Sequence, residues 1–127
     1  MGSIRTTIKL LNPLKDHLAP FEVVAVVDTG ALNLCVPECL AKRLDFQILE
    51  YKDVIMPDGR TIKCPYVGPV MVQFENRKCY TGALTLGDEI ILGTIPLEDM
   101  DLLIHPASHS IILNPNSPHF VASGLEE

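Results

Sequence analysis

Apolar residues along this chain fall in short runs, cut at close intervals by eight glycines and ten prolines. Residues 5–11 read as a strand closed by Asn12-Pro13. Phe21–Val27 is apolar and β-branched except for Glu22, and it stops abruptly at Asp28-Thr29-Gly30. A continuous run of that kind predicts a strand covered on both faces. Residues 37–44 predict a helix, with Pro37 in the first turn, Glu38 at the start and Lys42-Arg43 at the end, as the helix dipole favours. Residues 47–56 and 61–66 flank Pro57-Asp58-Gly59-Arg60, and Asp-Gly between two strand-like runs is a strong hairpin signal. Residues 70–74 and 78–86 pair across Glu75-Asn76-Arg77. A second helix starts near Thr94 and runs through Met100, with Glu98 and Asp99 read as acids of its first turn. Residues 111–113 form a last strand, and 114–118 end regular structure. Many short strands, one or two short helices and no repeat predict an all-β chain folded as a small closed β-barrel.

Length and composition narrow the picture. At 127 residues, 47% hydrophobic and 20% charged, the chain predicts one domain over 1–127, with a core at 3–114 and an irregular tail at 115–127. Ten Lys and Arg against sixteen Asp and Glu leave a formal charge of −6, without the cation excess that binding to a phosphate backbone requires. Nucleic acid is therefore not an expected partner. No apolar run reaches the length of a bilayer span, and the first twenty residues lack the apolar core of a signal peptide, so the expectation is a cytoplasmic protein without a membrane partner. Cys35, Cys39, Cys64 and Cys79 are too few for a disulfide framework and include no C-x-x-C pair. They read as reduced and mostly buried.

The candidate chemistry lies in Val26-Val27-Asp28-Thr29-Gly30-Ala31. A carboxylate ends an apolar strand, a small hydroxyl follows, and a glycine lets the backbone approach a neighbour closely. The tripeptide alone discriminates little: it arises by chance in roughly a few per cent of chains this long, and an Asp there can simply cap its own turn. Its context adds more. An Asp-Gly hairpin follows about thirty residues on, and later Ile90-Ile91-Leu92-Gly93 leads straight into a helix.

That arrangement, over residues 21–104, resembles the retropepsin-like aspartic proteases, and in look the small bacterial members more than the viral ones. The resemblance implies an acid-protease barrel acting as an aspartic endopeptidase. With a single Asp-Thr-Gly and too short a chain for two lobes, it implies a two-fold homodimer that pairs Asp28 with its copy. Asp28 would then be the catalytic carboxylate, Thr29 would bond across the dimer, and Gly30 would position substrate backbone. Ala31, Pro57, Asp58, Gly59, Arg60 and Ile91 would contact an extended peptide or protein substrate, the hairpin tip closing over it as a flap. Ile91 and Leu92 would line side-chain pockets or underlie Asp28, with Gly93 permitting close packing. No metal and no organic cofactor is implied.

The departures matter. Leu32 and Asn33 stand where retroviral enzymes carry acids that grip substrate backbone, and Thr94 replaces an Arg that supports the dimer. Pro115 and Pro118 cannot donate to a terminal sheet, which leaves residues 5–11 as a candidate replacement. His105 and His109 have i,i+4 spacing, but Pro106 between them argues for loop histidines rather than metal ligands. The rival expectation is a catalytically silent module on the same fold that binds peptides or only dimerises.

Overall fold

The structure is a computed structural model that describes residues 3–117, so residues 118–127 of the expected tail lie outside the described residues. Nine strands and two short helices follow one another as β1 (Ile4–Leu11), β2 (Phe21–Val27), β3 (Leu34–Val36), α1 (Glu38–Arg43), β4 (Gln47–Ile55), β5 (Thr61–Phe74), β6 (Arg77–Thr85), β7 (Ile90–Leu92), α2 (Thr94–Asp99), β8 (Leu102–His105) and β9 (Ser110–Leu113). Six of the strands close a ring in the order β1-β2-β7-β3-β6-β5, with β5 returning to β1 through Lys9↔Gln73, Leu10↔Val72 and Leu11↔Met71. The expectation of a small closed barrel with two short helices is thus the fold observed. β4 stands outside the ring on β5, and β8–β9 form a separate two-stranded sheet.

Strand chemistry explains the ring. Side chains that point inward from β1, β3, β5 and β7, among them Ile8, Leu10, Leu34, Val70, Val72 and Leu92, are at most 1% exposed and form one contiguous core. β5 is a single fourteen-residue strand rather than the two expected pieces. Its first part carries the hairpin with β4 and its last part closes the barrel against β1. β2 corrects the reading of Phe21–Val27. Its first four residues alternate between half-buried and exposed, and only Ala25, Val26 and Val27 are buried. The pairing of those three with β7 buries the end of the strand that leads to Asp28. β1 pairs with β2 from Ile4 to Leu10 and with β5 at Lys9, Leu10 and Leu11.

Both helices sit where the chain predicts them, and their ends differ from expectation in one case. α1 has its acid and bases as read, with Glu38 and Lys42 3.7 Å apart. Buried Asn12 finishes it by donating Nδ2 to the carbonyls of Leu44 and Asp45. In α2 no acid lies in the first turn; Glu98 and Asp99 end the helix, where the dipole does not favour them. Beyond the helix, the Asp101 carboxylate accepts from Asn114 Nδ2 and from the Ser117 hydroxyl.

Arg77 corrects the turn at 75–77. The turn is Glu75-Asn76, with Glu75 at φ 53°, and Arg77 opens β6 fully buried. Its guanidinium donates to the carbonyl of Met100 at 2.8 Å and to that of Ser117, so a buried charge is met by carbonyl dipoles and fastens α2 to the end of the described chain. Cys35, Cys64 and Cys79 are buried, Cys39 is exposed, and all four thiols are free. His105 is the last residue of β8 and pairs with Ser110, so it is a strand residue rather than the loop histidine expected, whereas His109 lies in the turn before β9. Among the described residues no helix is long and apolar enough to cross a membrane.

Candidate active site

The topology itself makes a loop of residues 28–33. β2 and β3 are consecutive in the chain, yet β7 lies between them in the sheet, so the connection must pass over the end of β7. Three backbone bonds fasten it there: Asp28 N donates to Leu92 O at 3.1 Å, Thr94 N to Ala31 O at 3.0 Å and Ile95 N to Leu32 O at 2.9 Å. Gly93 is the residue that allows this closeness. A Cβ at Gly93 would stand 2.5 Å from Asn33 O and 2.9 Å from Ala31 O, backbone atoms that have no room to retreat. The hydrophobic-hydrophobic-glycine run is therefore the bed of the Asp28 loop. Leu92 is buried in the core beneath it, and Ile91 faces the cleft.

Asp28 is exposed in the single chain. Its Oδ1 accepts from Gly30 N at 2.8 Å, and the turn closes with Ala31 N donating to Asp28 O at 3.1 Å. One carboxylate oxygen is thus oriented by the loop, while no bond within the described residues occupies Oδ2. Thr29 is also exposed, and its hydroxyl makes no hydrogen bond among the described residues.

Asp28 opens onto a cavity of about 740 Å³. Its floor is Gly30, Ala31, Leu32, Asn33, Cys35, Leu84, Leu86 and Ile91, and its roof is residues 53–57, from β4 and the start of the hairpin loop. Roof and floor meet at one side in a small second core, where Val54, Ile62 and Tyr66 pack against Cys35, Cys64 and Leu84. Burial pushes the Cys35 thiol above its ordinary range, and the neighbouring Cys64 and the Asp28 carboxylate push it the same way. That thiol is consequently protonated and inert, a wall of the cleft rather than a nucleophile.

The structure brings together Asp28, Gly30, Ala31, Pro57 and Ile91 around one cavity. Asp58, Gly59 and Arg60 lie outside its lining, at the tip of the hairpin. Arg60 donates to Asp58 through its backbone N at 3.0 Å and its Nε at 2.6 Å, which holds the Asp58 carboxyl below the usual carboxylate range. Gly59, at φ +90°, takes a conformation that L side chains rarely adopt. Thr29 is beside the cavity without lining it. Sequence reading missed Cys35, Val54, Met56, Leu84 and Leu86. β3 is only three residues long, too short for periodicity to register. One signal was present: Gly82 interrupts a strand pattern, and a Cβ there would stand 2.2 Å from the Tyr66 ring that packs at the cleft wall.

Among the described residues no three His, Cys, Asp or Glu side chains form a group that could hold a metal ion. The sequence matches no protein-family model and no curated protein. Among solved structures the chain is similar to the simian foamy virus (mac) protease, determined in solution. The identity is 18% and the TM-score 0.47, over 73% of this chain and 92% of that one.

Proposed function

We propose that this chain is an aspartic endopeptidase that works as a homodimer, with Asp28 of each copy supplying one of two facing carboxylates. The observation that carries the reading is the placement of Asp28. It stands at the buried end of β2, on a loop bonded to Leu92, Thr94 and Ile95, at the mouth of an apolar cleft roofed by a hairpin.

Two carboxylates at such a two-fold axis share one proton, because like charges in contact do not both ionise. The ionised member takes a proton from water, whose oxygen attacks the peptide carbonyl carbon. The protonated member gives its proton to the carbonyl oxygen. The intermediate then collapses: the carboxyl that now holds the proton gives it to the leaving nitrogen as the C–N bond breaks, the other carboxylate takes a proton from a diol hydroxyl as the C=O re-forms, and the pair again shares a single proton. The Gly30–Asp28 bond holds one oxygen in place and leaves the other for water. Thr29, exposed beside the axis, joins the two loops. An extended substrate lies between floor and roof, its apolar side chains against Leu84, Leu86 and Ile91, while the hairpin closes over it.

The second reading is a module that binds extended peptides without cutting them, and the Gly30–Asp28 bond favours it, since a turn-capping Asp makes that same contact. A diverse peptide mixture, incubated between pH 3 and 7 and read by mass spectrometry, separates the two. Cuts made by wild type and lost in Asp28→Asn establish the peptidase. Peptides retained but uncut by both proteins support the binding module. Sedimentation of the same samples must show a dimer, because a strictly monomeric chain has only one of the two carboxylates.

A further inference from the structure

β4 is the outermost strand of the sheet: its pairing is with β5 alone among the described residues. Its other edge therefore presents backbone N–H and C=O groups to solvent over nine residues, an open template for another strand. Ile48, Leu49, Tyr51 and Ile55 are each more than half exposed, and the strand has no proline; its one interruption is the irregularity between Ile48 and Glu50.

We infer that this edge pairs antiparallel with the same edge of a second copy, about a two-fold axis through Tyr51. The charges of the strand select both the partner and the register. With Tyr51 opposite Tyr51, Glu50 of each copy lies opposite Lys52 of the other, so the pair forms twice. Both groups are available for it. Glu50 has no ion pair among the described residues, and Lys52 sits over the Tyr66 ring at 4.1 Å rather than on an acid. Asp53, the other acid of the strand, is taken by Lys63 at 3.0 Å. Sliding the axis towards Ile55 by half a residue or one residue sets Glu50 against Asp53 or Lys52 against Lys52, like charges in both cases. The contact is distinct from the Asp28 pairing, does not depend on it, and joins such dimers to one another through the edge each copy presents. A single strand pair buries less than a standard interface, so the association is weak and concentration-dependent.

The test is sedimentation velocity of the full chain from micromolar to near-millimolar concentration, with amide hydrogen exchange over residues 47–55 on the same samples. Wild type is expected to show a species larger than a dimer that grows with concentration as exchange in β4 slows. Glu50→Lys sets Lys against Lys twice and is expected to abolish both effects, with peptide cleavage unchanged. The double variant Glu50→Lys with Lys52→Glu restores opposite charges and is expected to restore association. A wild type that stays at or below the dimer, with unchanged exchange in β4 and a mass that Glu50→Lys does not alter, overturns the inference and leaves the peptidase reading intact. Association of Glu50→Lys as strong as wild type overturns it equally. A wild-type dimer that becomes monomeric in Glu50→Lys upholds β4 pairing and removes the Asp28-paired dimer instead.

Discussion

The loop at 28–33 and the hairpin of β4 and β5 face each other across the same cleft, but they are held in different ways. The loop spans β2, β7 and β3, is bonded to the chain below at three backbone positions, and rests on Gly93 with no spare space. The hairpin has one free edge and exposed ion pairs at Asp53–Lys63 and Asp58–Arg60; it joins the barrel where β5 begins to pair with β6 at Tyr66↔Leu84, and packs on it through the small cluster at Cys35, Cys64 and Leu84. Exposed pairs screened by water add little to stability, so the roof is the part free to open and the floor is the part that keeps its geometry. A hydrolytic site needs that division: fixed reacting groups below, a closing element above.

The largest effect is expected from the floor. In the proposed peptidase, Asp28→Asn removes the group that would exchange protons with water and should lower kcat/KM by roughly 10²–10⁴-fold or more. The substituted amide still offers an oxygen to Gly30 N, so the thermal melt should stay close to wild type. Activity without change would place Asp28 as a turn cap and nothing more.

Two glycine-to-alanine changes set floor and roof against each other directly. Gly93→Ala forces a methyl group into the carbonyl oxygens of Ala31 and Asn33, and overpacking of this kind costs about 1–3 kcal/mol. Denaturant unfolding should show that loss, and kcat should fall with it because the Asp28 loop is what gets displaced. Gly59→Ala meets no atom within 4 Å, and its cost is the φ of +90°, about 1 kcal/mol held locally in the hairpin. It should leave the global midpoint nearly unchanged and alter KM before kcat. Equal effects of the two changes on stability would show roof and floor to be one cooperative unit.

How much was legible before the structure follows the same division. Phe21–Val27, the Asp-Gly hairpin and the helix after Gly93 were visible because each rests on local chemistry: a β-branched run, a turn pair, a helix start. The barrel class followed from their spacing. What stayed hidden depends on distant partners. Nothing near Arg77 announces that it is buried under Met100 and Ser117, since the carbonyls that receive it come from beyond α2. β3 and β7 are three residues each and exist as strands because they pair across the barrel, not because of their own pattern. Cys35 lies in the cleft for that reason. The tip residues also lay beyond local reading: in the single chain Arg60 binds Asp58 and Gly59 turns the chain, outside the cavity lining.

The smallest effect expected is on acid sensitivity, and it too separates the two walls. Asp101, beyond α2, has its carboxyl held below the ordinary 3.8, first by the Ser117 hydroxyl and then by the Asn114 amide. Asp58, at the tip of the roof, is held below the same value by the Arg60 backbone N–H and then its side chain. In both, the folded state binds its proton less readily than the unfolded chain. Each contribution is therefore complete above the ordinary carboxylate value and is lost as pH falls through the depressed one. The two differ in what they hold. Asp101 ties α2, and with it the chain that carries Gly93, to the segment ending at Ser117, whereas Asp58 ties only the tip of a hairpin. Asp101→Asn should flatten the acid limb of the unfolding free energy below about pH 4, the region where carboxylates take up protons. Asp58→Asn should leave that curve in place and change only amide exchange near Gly59. If the Asp58 variant shifts global stability as much as the Asp101 variant, the roof is as firmly built into the fold as the floor, and opening of the cleft must be sought elsewhere.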